Sequence, residues 1–322
     1  MNYNRPWKSF AEQLDLLKSR GMVMTDEAAA LSYLERIGYY RLSAYWYPFR
    51  VFQLMQDPKT KQIHQKRTNQ FVANTQFLDA VNLYLFDKAL RLMILDALER
   101  IEVAIRVDVA YLLGKRDTFA HLRIAELHPG FAGKRFHSGN TAHQEWLTKY
   151  TRLVDRSKED FVLHYRNNHG PDLPIWVAVE VWDFGAMSQL FAMMKVPDQQ
   201  AIATKYGVQD WRVFQSWLRS LSYLRNLVAH HSRVWNRNVI DQPKLPAHGQ
   251  VAWCDGFIGK NDLIAKPFLL LAICRHLVLR ICPGTVWHHR VRAHLDSFPG
   301  QFSDLKRSVT DVGTPAHWET WW

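Results

Sequence analysis

The chain is poor in cysteine, in long apolar runs and in alternating strand patterns, and each shortage excludes something. It has 322 residues and three cysteines, Cys254, Cys274 and Cys282. Their number is odd and none stands in CxxC spacing, which argues against a disulfide framework and against a cysteine-rich zinc site. No apolar run approaches the roughly 20 residues of a membrane span, so no membrane partner is expected. The opening MNYNRPWKSFAEQ lacks the apolar core of a secretory signal. A reducing cytoplasm is the expected location. There is no internal repeat and no low-complexity tract.

What remains is ample material for a core: hydrophobic content is 48%. Lys and Arg number 41 against 30 Asp and Glu, a net charge of +11, which suits a polyanionic partner such as RNA. The same charge also serves plain solubility. The basic residues are spread along the chain with no juxtamembrane cluster, which disfavours an acidic membrane surface.

Helical periodicity dominates. Residues 10–19 form a short amphipathic helix ended by Gly21, and Asp26 caps a second over residues 27–38. Residues 38–50, GYYRLSAYWYPFR, carry six aromatics and two arginines, among them Arg41. Such a run can stack on bases, and it can equally pack an N-terminal arm against the body, which is the preferred reading. The polar and basic stretch 56–70 is expected to be an exposed loop, more simply solvated than bound to phosphate. Residues 75–113 give the strongest helical signal, with Leu83, Phe86, Leu90, Ile94, Ala97, Ile101, Ala104 and Ile105 at three- and four-residue steps. Within it Glu102 and Arg106 stand i, i+4 and can pair. Residues 115–141 read as irregular or inserted, 145–167 as helical, and 174–194 as one helix begun by Pro174. Residues 236–260 are a long connection, 263–281 a buried helix, and the three tryptophans at 318–322 a docked terminus. The expected architecture is all-α, with an N-terminal helical arm and basic loop over 1–70 and a helical core with insertions over 71–322.

The most informative stretch is RSLSYLRNLVAHHSRVWNR, residues 219–237, on a helix that Asp210 caps. Asn226 and His230 are four apart and fall about 40° apart on one helical face. Arg225 lies to one side, with a side chain long enough to reach the same spot. Leu224, Leu227 and Val228 anchor the helix. His230 and His231 stand near its C-terminus, where the dipole favours an imidazolium. RNA carries its own nucleophile, the 2′-OH. Cutting it needs a base, an acid for the leaving 5′-oxygen, and positive charge on the phosphorane. Histidine moves protons, a guanidinium grips two phosphate oxygens, and an amide such as Asn226 orients phosphate or imidazole. Arg233, Arg237 and Arg41 are further candidates for RNA contact. No metal or other cofactor is called for. Adjacent histidines diverge on a helix, and no carboxylate or thiol stands at ligand spacing beside them. The alternative is structural: Arg225 in an ion pair and His230 on helix-end carbonyls. One motif supplies one histidine and one arginine, so a two-fold homodimer would complete acid and base in one cleft.

The motif resembles the R-x4-6-H signature of HEPN-superfamily ribonucleases in the form carried by Abi-like (abortive infection) proteins. FAEQL at 10–14, YLERIGYYRLS at 33–43, YLFDKALR at 84–91, ERIEVAIR at 99–106, PIWVAVE at 174–180 with FG at 184–185, and GTPAHW at 313–318 are also similar to that family, in its order. The resemblance implies a HEPN-like helical bundle, a homodimer and metal-independent endoribonuclease activity in phage defence or a toxin–antitoxin pair, with an RNA or protein antitoxin as restraint. It implies Arg225, Asn226 and His230 as the catalytic set. His231 fits only the looser spacing, and Glu102 and Arg106 are supporting residues, structural or catalytic. A non-catalytic RNA-binding or regulatory protein on the same scaffold, and a purely structural interaction protein, are the competing readings.

Overall fold

The computed structural model of the chain describes residues 6–56, 61–299 and 307–322. In chain order come α1 (Phe10–Ser19), α2 (Glu27–Ile37), α3 (Tyr39–Trp46), β1 (Arg50–Gln56), β2 (Ile63–Phe71), α4 (Phe77–Gly114), α5 (Pro129–Ala132), α6 (Ala142–Arg156) and α7 (Asp160–His169). Then follow α8 (Ile175–Ala178), α9 (Phe184–Met193), α10 (Val196–Lys205), α11 (Trp211–Ala229), α12 (Asn261–Ile264), α13 (Pro267–Ile281) and α14 (Trp287–Asp296). The fold is all-α, as the periodicity indicates. No helix among the described residues is long and apolar enough to cross a membrane.

Contacts divide the chain into two compact units, one of Met1–Leu90 with Ala293–Thr310 and one of Arg91–Arg292 with Asp311–Trp322. The division falls inside α4.

In the first unit, Ser9 and Glu12 close a capping box at the start of α1, and Asp26 caps α2 by accepting from the Ala29 amide. Gly38, at φ 88°, turns α2 directly into α3. Of the aromatic run, Tyr45, Trp46 and Phe49 are buried, while Tyr40 is 77% exposed. The Tyr45 hydroxyl donates to the buried Asp87 carboxylate at 2.7 Å, which gives that charge in α4 a partner. Packing therefore claims half of these six rings, and Tyr47 is exposed as Tyr40 is. The loop expected at 56–70 is instead largely strand: β1 and β2 pair antiparallel, with Phe52 opposite Arg67 and the guanidinium 3.8 Å from the ring centroid. Neither strand shows the apolar alternation of a half-buried strand, because most of the hairpin is exposed.

In the second unit, α11 packs on α9, α10 and α13, and α6 packs on α9. Two helices expected to be continuous are broken. The 145–167 pattern splits at Ser157 into α6 and α7, and the 174–194 pattern breaks at Trp182–Asp183, where Asp183 caps α9 by accepting from the Ala186 amide. The buried helix expected over 263–281 is α13, preceded by the separate short turn α12. The terminal tryptophans are docked: Trp318 is buried, Trp321 and Trp322 lie against Phe268, and the Trp322 indole donates to the His288 carbonyl at 2.8 Å.

The end of α11 sets the geometry of the 225–231 motif. The helix stops at Ala229, with His230 as its C-cap. The Ser232 amide donates to the Leu227 carbonyl at 2.9 Å and the His231 amide to Val228 at 3.1 Å, the paired bonds of a Schellman closure. His231 fills the left-handed position that glycine favours, at φ 55°. His231→Gly should therefore raise stability by about 1 kcal/mol, read from urea unfolding. An unchanged or lower midpoint would show that the imidazole's contacts outweigh its backbone cost.

Two buried histidines give the second unit a pH dependence. Burial drives His121 down to about 3 and His276 down to about 4, with Arg280 also opposing charge on His276. The fold holds both neutral while the unfolded chain protonates them below about 6.5. Their contribution is complete above that pH and is lost as pH falls toward the folded values. Stability should drop by roughly 3 kcal/mol between pH 6.5 and 5. A flat urea midpoint across that window would contradict it.

Candidate functional site

The motif helix is placed by Asp210, whose side chain accepts from the Arg212 amide, and by Leu224, Leu227 and Val228, all buried. Asn226, His230 and His231 are exposed and Arg225 is half-buried. The His230 amide donates to the Asn226 carbonyl at 3.0 Å, so the two residues occupy adjacent turns at the helix end, as the spacing requires.

Around Arg225 stand carboxylates from two other elements. Glu102, on α4, pairs with Arg106 one turn on. Arg106 also donates to the Trp182 carbonyl, just before α9. The expected i, i+4 pair is therefore real, and it joins α4 to the turn that begins α9. Burial raises the Glu102 carboxyl above its ordinary range, against the pull of Arg106 and Arg225. At Asp183 burial acts in the same direction but loses. The Lys149 ammonium at 2.7 Å, the Ala186 amide and the field of Arg225 hold that carboxyl below its usual range.

Arg225 is thus within electrostatic reach of both carboxylates while each carboxylate has another cation as its direct partner. The alternative of a direct ion pair for Arg225 is not what the described residues show. Gly185 allows this crowding: a Cβ there would come within 3.0 Å of Lys149 Nζ, 3.2 Å of Asp183 Oδ1 and 3.5 Å of Ser222 Oγ.

Arg237 Nε donates to the Tyr223 hydroxyl of α11 at 3.2 Å, which ties the segment after the motif back to the helix. Arg233 is half-buried, and Arg41 is exposed on α3 in the first unit. Lys149 and Asp183 are the site residues that sequence reasoning missed. The signal for Asp183 was present: an Asp directly before an apolar helical run is an N-cap, but reading 174–194 as one helix hid it. Lys149 has no local signal, since it joins the site only through the packing of α6 on α9. Among the described residues no group of three or more His, Cys, Asp or Glu side chains is placed to hold a metal ion.

No curated protein and no solved structure matches the chain at a significant level. The family model of the Abi-like protein matches residues 32–236. That range contains the Arg225–His231 motif and does not include the FAEQL and GTPAHW stretches. Membership connects the chain with abortive infection, a form of defence. With a match over more than half its length, the chain belongs to the Abi-like protein family.

Proposed function

We propose that the chain is a metal-independent endoribonuclease toxin of the HEPN type, acting in abortive infection or as part of a toxin–antitoxin pair. The observation that carries the proposal is the state of Arg225. It is a half-buried guanidinium, in the field of Glu102 and Asp183 but bound directly by neither, one residue before the exposed Asn226 and five before the exposed His230. A cation so prepared suits a phosphate that arrives with the substrate.

In this reading His230 transfers a proton, either from the 2′-OH or to the leaving 5′-oxygen. Arg225 neutralises the phosphorane and Asn226 orients phosphate or ring. Each motif supplies one histidine, so a homodimer with two motifs facing one cleft provides acid and base together. The net charge of +11 draws the RNA. Glu102 and Arg106 act as supports that fix the turn before α9. On this reading the protein would act in the cytoplasm, and an RNA or protein antitoxin would restrain it.

Purified protein incubated with RNA in EDTA tests the proposal. Wild type should leave 2′,3′-cyclic phosphate and 5′-OH ends, and a 2′-deoxy at the cut should block cleavage because the nucleophile is gone. His230→Ala should slow cutting by about 10²–10⁴-fold. Arg225→Lys should slow it at least roughly tenfold, since a point charge replaces a two-pronged donor. Cleavage that survives His230→Ala, or that demands a divalent metal, overturns the mechanism. RNA binding that weakens with salt but yields no new ends identifies a non-catalytic binding protein instead.

A further inference from the structure

A cavity of about 530 Å³ lies in the second unit between α5, α6 and α9, walled by Phe131, Phe136 and Trp146 and edged by Lys134, Glu145 and Lys149. Two of its walls are held by contacts within the protein. Trp146 is buried and its indole donates to the Ala186 carbonyl at 2.8 Å. Phe131 is stacked on His128, with ring centroids 3.9 Å apart. Phe136 is 49% exposed at the rim. It is carried by a tight turn in which its amide donates to the Asn140 carbonyl at 3.0 Å and Arg135 donates to Gly139 at 2.7 Å. Rigid aromatic walls around a space of this size suit a flat ring system.

The polar edge is equally specific. Ser138 and Asn140 both donate to Glu145 Oε1, at 2.8 and 2.9 Å. Those bonds hold the Glu145 carboxyl below its usual range and leave Oε2 as an acceptor. Lys134 and Lys149 supply ammonium donors on the same edge. Adenine and cytosine each bring one amine beside an acceptor, whereas guanine brings two adjacent donors, N1–H and the N2 amine, toward the carboxylate, with O6 and N7 as acceptors for an ammonium.

The cavity also touches the motif's own network. Lys149 donates to Asp183 at 2.7 Å, and Asp183 lies in the field of Arg225. One carboxylate therefore separates the cavity edge from the guanidinium assigned to the scissile phosphate. We propose that this cavity holds one unpaired nucleobase of the RNA strand, guanine by preference, next to the phosphate at Arg225, and so selects where the strand is cut. The inference rests on the ribonuclease reading above. It also gives a role to residues 115–141, the irregular segment whose purpose the sequence leaves open.

The test separates the two. Full-length His230→Ala protein, which does not need to turn over, is titrated calorimetrically with guanosine, cytidine and uridine 5′-monophosphates and with ribose 5-phosphate. The guanosine nucleotide should bind roughly tenfold or more tighter than ribose 5-phosphate, and more tightly than either pyrimidine nucleotide. Phe136→Ala, a change at an exposed rim position, should erase most of that advantage. Lys134→Ala should weaken every nucleotide severalfold. Ribose 5-phosphate binding as well as the guanosine nucleotide, a pyrimidine nucleotide binding equally well, no nucleotide binding at all, or an advantage untouched by Phe136→Ala each overturns the proposal. In wild type, cleavage with cyclic-phosphate ends but no base preference would leave the ribonuclease standing and remove the base site. Nucleotide binding that depends on Phe136, in a protein that never cuts RNA, would keep the base site and remove the ribonuclease.

Discussion

The site depends on one buried ion pair, Glu102 with Arg106. A carboxylate inside a core is costly unless its partner and its remaining lone pairs are provided for. Arg106 meets that need and also donates to the Trp182 carbonyl, so the pair ties α4 to the turn before α9. That turn delivers Asp183, which in one position caps α9, pairs with Lys149 of α6 and lies in the field of Arg225 on α11. Four helices thus converge through two carboxylates. Losing either carboxylate would alter both the packing and the electrostatics around Arg225.

The second constraint is the abrupt end of α11. A helix running on past Ala229 would carry His230 and His231 around its surface in regular steps. The Schellman closure stops it instead, leaving His230 at the cap and His231 in a left-handed conformation that most side chains avoid. Where glycine would be cheaper, a histidine stands on the exposed surface beside an exposed amide and a half-buried guanidinium. Strain held at such a place is a recurrent feature of functional sites.

Much of this was legible in the chain. The 75–113 pattern marked α4 because a long helix repeats its apolar stripe many times over. Asp26 and Asp210 marked helix starts because an N-cap is a local hydrogen bond. The Glu102–Arg106 pair was readable because i, i+4 residues meet on any helix. The β-hairpin was not, since two strands exposed on most of their length carry no alternation and are held by cross-strand pairing. The break at Trp182–Asp183 was missed because an apolar run reads the same whether one helix or two bury it.

The sequence by itself determined the helical class, the helix that carries the motif and the adjacency of Asn226 and His230, because each follows from repeat spacing and local hydrogen bonds within a few residues. Only the tertiary structure decided that Lys149 and Asp183 join Arg225, that the Arg225 guanidinium has no direct carboxylate partner among the described residues, and that an aromatic cavity opens beside them. Those facts belong to side chains brought together from α4, α6, α9 and α11 by packing, and no local pattern in the chain records which distant charges a folded core will place side by side.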